Sequence, residues 1–215
     1  MVSKPRERRF IMRGPEVVAT LANLKTQCRR PIRGLDRVKH RIDHIGRDDC
    51  AEPACFMAEK ISPQSFDCPA EVDDGTRINC PFGEPGDRLW VAETWCQKIV
   101  NGGFVYNADG DIDSSCCYYL ASNPDVEGEG FTERGLGKSP WSSPATMPRR
   151  TCRLVLELVD IRAEHLQEIT DEGATAEGAN SVFFFASQWE RMHGKEFAYS
   201  SNPWAWVPTY KVIEG

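Results

Sequence analysis

Apolar and polar positions alternate most cleanly in two stretches of the chain, 88–95 and 153–161. In RLWVAETW, Leu89, Val91 and Glu93 share one face while Trp90, Ala92 and Thr94 share the other, the period of an extended strand. Pro85 suits the second position of a type II turn and Gly86 the positive φ of the third, so 84–87 is a tight corner feeding that strand. In RLVLELVDI, Leu154, Leu156 and Leu158 oppose Val155, Glu157 and Val159, which predicts a second strand. Elsewhere the period is helical. Pro15 and Glu16 open a helix that buries Val17, Val18, Leu21 and Leu24 and ends near Asn23 to Lys25. Thr170 caps a short helix with Asp171 and Glu172 in its first turn and Glu177 near its end. A longer helix over 181–193 buries Phe184, Phe185, Trp189 and Met192 and stops at Gly194. The last strand, WAWVPTYKVI, contains Pro208, which has no ladder donor and predicts an edge or a bulge.

Between these elements the pattern breaks. Residues 33–79 carry Asp, Gly and Pro turns and no sustained period. Residues 96–146 combine a turn at NADGDIDSS, a strand at CCYYLAS and a long polar loop rich in Gly and Pro. At 215 residues the chain suits one domain, 1–215, with variable insertions over about 33–79 and 96–146. A hydrophobic content of 40% with 27% charged residues is that of a folded globular protein. No run of about 18 apolar residues suits a membrane span, and the opening MVSKPRERRF lacks the apolar core of a signal peptide. The expectation is a cytoplasmic protein without a membrane partner.

Charge changes this picture. The first 41 residues hold twelve Lys and Arg against three Asp and Glu, a balance of +9 inside a chain of net −6. Such a basic end is a candidate phosphate-contacting surface, whereas the acidic remainder argues against wrapping long duplex DNA. The nine cysteines read as thiols or metal ligands rather than disulfides. Cys50, Cys55, Cys68 and Cys80, with His44 nearby, supply enough thiols for a structural zinc, although none of them forms a C-x2-C pair. The vicinal Cys116 and Cys117 point to opposite faces of their strand.

The run GDRLWVAETW resembles the PGDRLWVRETW signature of the phage and prophage branch of the ASCH family. Segments 14–32, 147–170, 183–192 and 202–213 resemble the family in the same order. The resemblance implies an α+β fold: a small PUA-like β-barrel with flanking helices and long inserted loops, in which TQCRRPI is a short strand. The family includes amidohydrolases of N4-acetylcytidine and has links to RNA binding and RNA cleavage. Carried over by position, the family lysine falls on Lys25, and its glutamate on Glu177 through the match of LQEITDEGATAEG. The family threonine falls on Cys28, and Pro208 stands where family members commonly have a β-branched residue.

Amide hydrolysis needs a nucleophile, a base and donors for the oxyanion. A desolvated Lys25 can serve as base, the cations around Cys28 favour its thiolate, and Glu177 can protonate the leaving amine or orient Lys25. Residues three apart on an ideal strand face opposite sides, so Lys25 and Cys28 converge only if Lys25 lies in the preceding turn. Arg29, Arg30, Arg88, Glu93 and Arg149 are the candidate substrate-binding set, with Arg for phosphates and Glu93 for a base amino group. The structural alternative for them is ion pairing, Arg88 with Glu93 for example. Of Trp90, Trp95, Trp141, Trp204 and Trp206, one or two are expected to stack on a base, the rest being core. The resulting expectation is a binder of RNA or a modified nucleoside that needs no cofactor and hydrolyses an acylated base. The rival is a non-catalytic RNA-binding module of phage origin, with a ribonuclease using Lys25 as base third.

Overall fold

A computed structural model describes residues 5–33, 40–45, 55–60, 76–100, 103–125 and 141–215, with backbone alone for 40–45, 55–60 and 76–79. The architecture is mixed α+β. In chain order the elements are β1 (Glu7–Ile11), α1 (Gly14–Leu21), β2 (Arg30–Pro31), β3 (His40–Ile45), β4 (Cys55–Lys60), β5 (Thr76–Asn79), β6 (Arg88–Ala92) and β7 (Trp95–Gln97). There follow β8 (Ile99–Val100), β9 (Gly103–Phe104), β10 (Cys117–Tyr119), β11 (Val155–His165), α2 (Asp171–Ala176), α3 (Val182–His193) and β12 (Trp204–Glu214). Among the described residues no sheet closes into a barrel and no helix is long and apolar enough to cross a membrane. The chain divides into two compact units, one of residues 1–23, 88–157 and 212–215, the other of 24–87 and 158–211.

In the first unit β6 is central, parallel to β1 with Phe10 opposite Val91, and antiparallel to the start of β11 with Val155 opposite Trp90. The predicted alternation is realised. Trp90 and Ala92 pack with Cys117, Tyr119, Met147 and Val155 on one side, and Leu89 and Val91 are buried on the other. Cys116 and Cys117 are both buried, and burial pushes the Cys117 thiol up to about 12. Helix α1 buries Glu16, Val17 and Thr20, whereas Val18 and Leu24 are exposed. The helix is shorter than its apolar pattern implies, because Asn23 takes a left-handed φ of 56° directly after the cap at Ala22. Leu24 therefore lies beyond it, and the buried stripe is Val17 with Thr20.

The second unit contains the antiparallel meander β3-β4-β5, which falls inside the stretch read from sequence as an irregular insertion. It also holds strands in the order β11-β12-β2. Residues 26–32 run antiparallel to β12, with Gln27 opposite Thr209, Arg30 opposite Trp206 and Pro31 opposite Ala205. Pro208 interrupts nothing, since β12 continues through it between two neighbours. Its carbonyl accepts the Cys28 N–H at 3.2 Å, and its missing N–H removes only the return bond of that pair. The irregularity lies on the neighbouring segment, where the Thr26 and Gln27 N–H groups both donate to the Ala176 carbonyl, at 2.8 and 2.9 Å, as in a β-bulge.

Alternation gives these strands two distinct faces. Ile32, Ile161, Trp204 and Trp206 pack with Cys80 on one, and Ala205 packs on the other against Leu166, Ile169, Ala174, Phe185 and Trp189. Helix α3 starts at Ser181, whose hydroxyl accepts the Phe184 N–H, and ends at Gly194 with φ 62°. It anchors through Phe185 and Trp189, one turn apart, while Phe184 is 54% exposed because one residue rotates a side chain about 100° around the axis. Trp189→Ala should therefore cost about 3–5 kcal/mol, read as a lower urea midpoint. Phe184→Ala should move stability by less than about 0.5 kcal/mol; equal losses would show that Phe184 anchors the helix as much as Trp189 does.

Candidate functional site

The bulge at Thr26 places residues 25–29 against the C-terminal end of α2. A helix leaves its last carbonyls without partners. Here Ala176 is satisfied by two strand N–H groups, and the Glu177 carbonyl accepts from the Lys25 ammonium at 3.0 Å. Gly178, with φ 79°, turns the chain away in the left-handed conformation that suits glycine at a helix end. The Glu177 side chain is thereby held next to the strand, and its two oxygens divide the cations between them. Oε2 accepts from Lys25 Nζ at 2.6 Å; Oε1 accepts from the Arg29 N–H at 2.6 Å and from its guanidinium at 3.1 Å.

The chain of charges continues. The Arg29 guanidinium donates also to Glu164, Glu164 accepts from Arg162 at 3.0 Å, and Arg162 reaches Asp160 at 3.3 Å. Three cations face three carboxylates. Side-chain exposure is 4% for both Lys25 and Glu177, 2% for Arg29 and 16% for Glu164, but 40% for Arg162 and 55% for Asp160. Burying a charge is tolerable only when it is paired and hydrogen-bonded, and the pairing here is densest where water is most excluded. Two contacts position Arg29 further. Its guanidinium lies 5.7 Å from the centre of the Phe185 ring. A Cβ at Gly173 would come within 3.3 Å of its Nη2, so glycine lets α2 approach it closely.

Of the candidate catalytic residues, Lys25 and Glu177 are thus in contact although 152 residues apart in sequence. Cys28 is fully buried. Its N–H points to β12 while those of Gln27 and Arg29 point the other way, so its side chain leaves on the face opposite to Arg29. Arg29, a candidate binding residue, is part of the cluster. Arg30 is half-buried and donates to the Arg29 carbonyl at 3.2 Å. The other candidates belong to the first unit. Glu93 pairs with Arg153 rather than Arg88, its oxygens accepting from Nε and Nη2 at 2.8 and 2.9 Å. Arg88 opens β6 and Glu93 directly follows its last residue, an odd spacing of five that directs the two side chains to opposite sides and disfavours the pair expected from sequence. Arg88 instead lies between Glu7 and Glu157 in the register. Arg149 makes a two-pronged contact with Glu7 at 2.9 and 3.2 Å.

Trp90, Trp204 and Trp206 are buried and Trp95 and Trp141 half-buried. Of the candidate zinc ligands, Cys80 is buried and its sulfur accepts the Phe82 N–H at 3.4 Å; Cys50, Cys68 and the Cys55 side chain lie outside the described residues. Among the described residues no group of three or more His, Cys, Asp or Glu is arranged to hold a metal. Sequence reading missed Glu164, Arg162 and Asp160. The signal was present, since DIRAEH continues the alternation of β11 with charges of alternating sign on one face. Gly173 carried no such signal.

Fold and site together define a mixed α+β protein with a buried Lys–Glu–Arg cluster at the junction of a strand and a helix end. Compared with family profiles, with characterised proteins and with solved structures, the chain has no match.

Two consequences are measurable. Glu177→Leu leaves Lys25 and Arg29 buried with a lost acceptor and should cost about 3–5 kcal/mol, whereas Arg162→Ala at the exposed end should cost less than about 1 kcal/mol. Equal costs in denaturant titration would mean that burial does not grade the network. In the other unit, hydrogen bonding to Arg149 holds the Glu7 carboxyl below its ordinary 4.5, with the charges of Arg149 and Arg88 acting in the same sense. Its stabilising effect is complete above that value and is lost as pH falls through the lower folded-state pKa. Arg149→Ala should flatten the acid limb of a plot of Tm against pH, at a cost below about 1 kcal/mol near neutrality. An unchanged limb would remove Glu7 from the acid response.

Proposed function

We propose that this is an ASCH-type cytoplasmic protein, with the PUA-like barrel that the resemblance implies, that binds a nucleoside or an RNA element and hydrolyses the amide of an acylated base such as N4-acetylcytidine. The observation that carries this reading is the buried contact between Lys25 and Glu177 at 2.6 Å. These are the two residues onto which the family's catalytic lysine and glutamate fall, and no local feature of the sequence requires them to meet. Lys25 and Glu177 form the proton-handling pair: water adds to the acyl carbon and gives up a proton, the C–N bond breaks, and the amine leaves with a proton returned from the pair. Water takes the attack because the Cys28 side chain leaves the strand on the opposite face. Arg29 fixes the Glu177 carboxylate and so positions the pair.

That same burial of Cys28 favours a second reading, a non-catalytic RNA-binding or regulatory module of phage origin. Hydrolysis of free N4-acetylcytidine by purified protein, followed by chromatography, separates the two. In the first reading turnover is present, and Lys25→Ala or Glu177→Gln lowers it at least about 100-fold in chains whose circular dichroism is native. Cys28→Ala keeps turnover within a few-fold, and its complete loss would give the nucleophile to the thiol. A folded protein without turnover overturns the amidohydrolase reading; RNA affinity that falls steeply with salt and survives Lys25→Ala would then establish the module.

A further inference from the structure

Two half-buried side chains next to this cluster hold buried polar atoms with no hydrogen-bond partner, Gln27 through Oε1 and Thr209 through Oγ1. They form a cross-strand pair, since Gln27 bridges Thr209 in the antiparallel register. Directly opposed side chains lie on the same face, about 5 Å apart at Cβ. Which face follows from the backbone. The Gln27 and Arg29 N–H groups point towards Ala176 and Glu177 while the Cys28 N–H points to Pro208, so Gln27 and Arg29 leave on one side. It is the face of Ala205, which packs against the helices, and not that of Trp204 and Trp206, which belong to the other apolar cluster. Gln27 thus stands two residues from Arg29 and two from Lys25, whose side chains both end on Glu177.

A buried polar atom left without a partner costs stability, and two side by side are a local inconsistency of the kind that marks binding surfaces. We propose that Gln27 and Thr209 are the specificity pair of the site, reading the polar edge of the base whose acyl group meets Lys25 and Glu177. Gln27 Oε1 only accepts, so it requires an N–H from the ligand, and the Thr209 hydroxyl can donate to an adjacent ring nitrogen or oxygen. An N-acylated cytosine presents that combination: the amide N–H beside the unprotonated ring nitrogen. This inference rests on the nucleoside reading given above and adds to it the residues that recognise the base.

The test titrates wild type, Thr209→Val, Thr209→Ser and Gln27→Met with N4-acetylcytidine, reading Kd by calorimetry, or KM where the nucleoside is turned over, together with Tm. Thr209→Val and Gln27→Met should each weaken binding about tenfold with kcat little changed and with Tm equal or higher, because an apolar isostere replaces an unpaired polar atom. Thr209→Ser, which keeps the hydroxyl, should keep wild-type affinity. Unchanged affinity in the apolar variants overturns the proposal and leaves the nucleoside reading standing. A fall in Tm in both overturns it too, since the atoms would then be satisfied within the fold. A wild-type chain that binds no N4-acetylcytidine overturns the nucleoside reading, and this inference with it.

Discussion

The Glu177 carboxylate is the constraint on which the second unit depends. It is almost wholly removed from water, yet it balances two cations and also accepts the backbone N–H of Arg29. That last bond does the work of a sheet partner. Among the described residues, 26–32 have a strand partner, β12, on one side only, and on the other their outward N–H groups are met by the Ala176 carbonyl and the Glu177 side chain. A helix end thus stands in for a strand. The substitution succeeds because the last carbonyls of a helix and the outward N–H groups of a strand are both without partners, so each supplies what the other lacks.

Given that arrangement, the sign and burial of the neighbouring groups follow. Two cations on one carboxylate leave an excess positive charge in a poorly solvated place, and Glu164 on β11 removes it. Glu164 would in turn be in excess without Arg162, and Asp160 closes the series where water takes over. A period-2 strand is well suited to this. It delivers acid, base and acid at successive positions of one face while Ile161 and Ala163 serve the apolar cluster on the other. The consequence is rigidity: Lys25 and Glu177 are held by partners outside the pair, so their geometry does not depend on a ligand.

What sequence makes legible here is period. The strand at Arg88–Ala92 and the helix Val182–His193 fall where alternation and capping put them, and the strand expected over 153–161 is observed at Val155–His165, four residues longer at its end. What fails is the choice of face when the apolar residues outnumber the buried positions. In α3, Phe183, Phe184 and Phe185 are consecutive, and only the partner at Trp189 decides that Phe185 is the inward one. In α1, an apolar pattern extending to Leu24 is cut by a left-handed turn at Asn23, a residue type that tolerates this conformation at a helix end, so the stop is legible and the exposure of Leu24 follows from it. The pairing of ions fails for a related reason. Arg88, Arg149 and Arg153 are all near Glu93 or Glu7 in a loose sense, and register, which is a property of the folded sheet, assigns each. Lys25 and Glu177 became legible only through resemblance, because nothing local in a short helix end announces a partner 152 residues away.

Two positions at which the resemblance noted in the sequence breaks, a cysteine at 28 and a proline at 208, meet in the structure. They face each other across the strand pair, joined by the Cys28 N–H and the Pro208 carbonyl. They belong to the face that carries Trp204, Trp206 and Ile32, where a hydroxyl would require its own hydrogen-bond partner while a thiol packs as a small apolar group. Proline opposite removes the one N–H that would have completed the pair. The cysteine avoids a hydroxyl on the apolar face and the proline removes a donor at the same point of the sheet, while Lys25, Arg29 and Glu177 meet on the other side. The pair therefore reads as a single repacking of the apolar face.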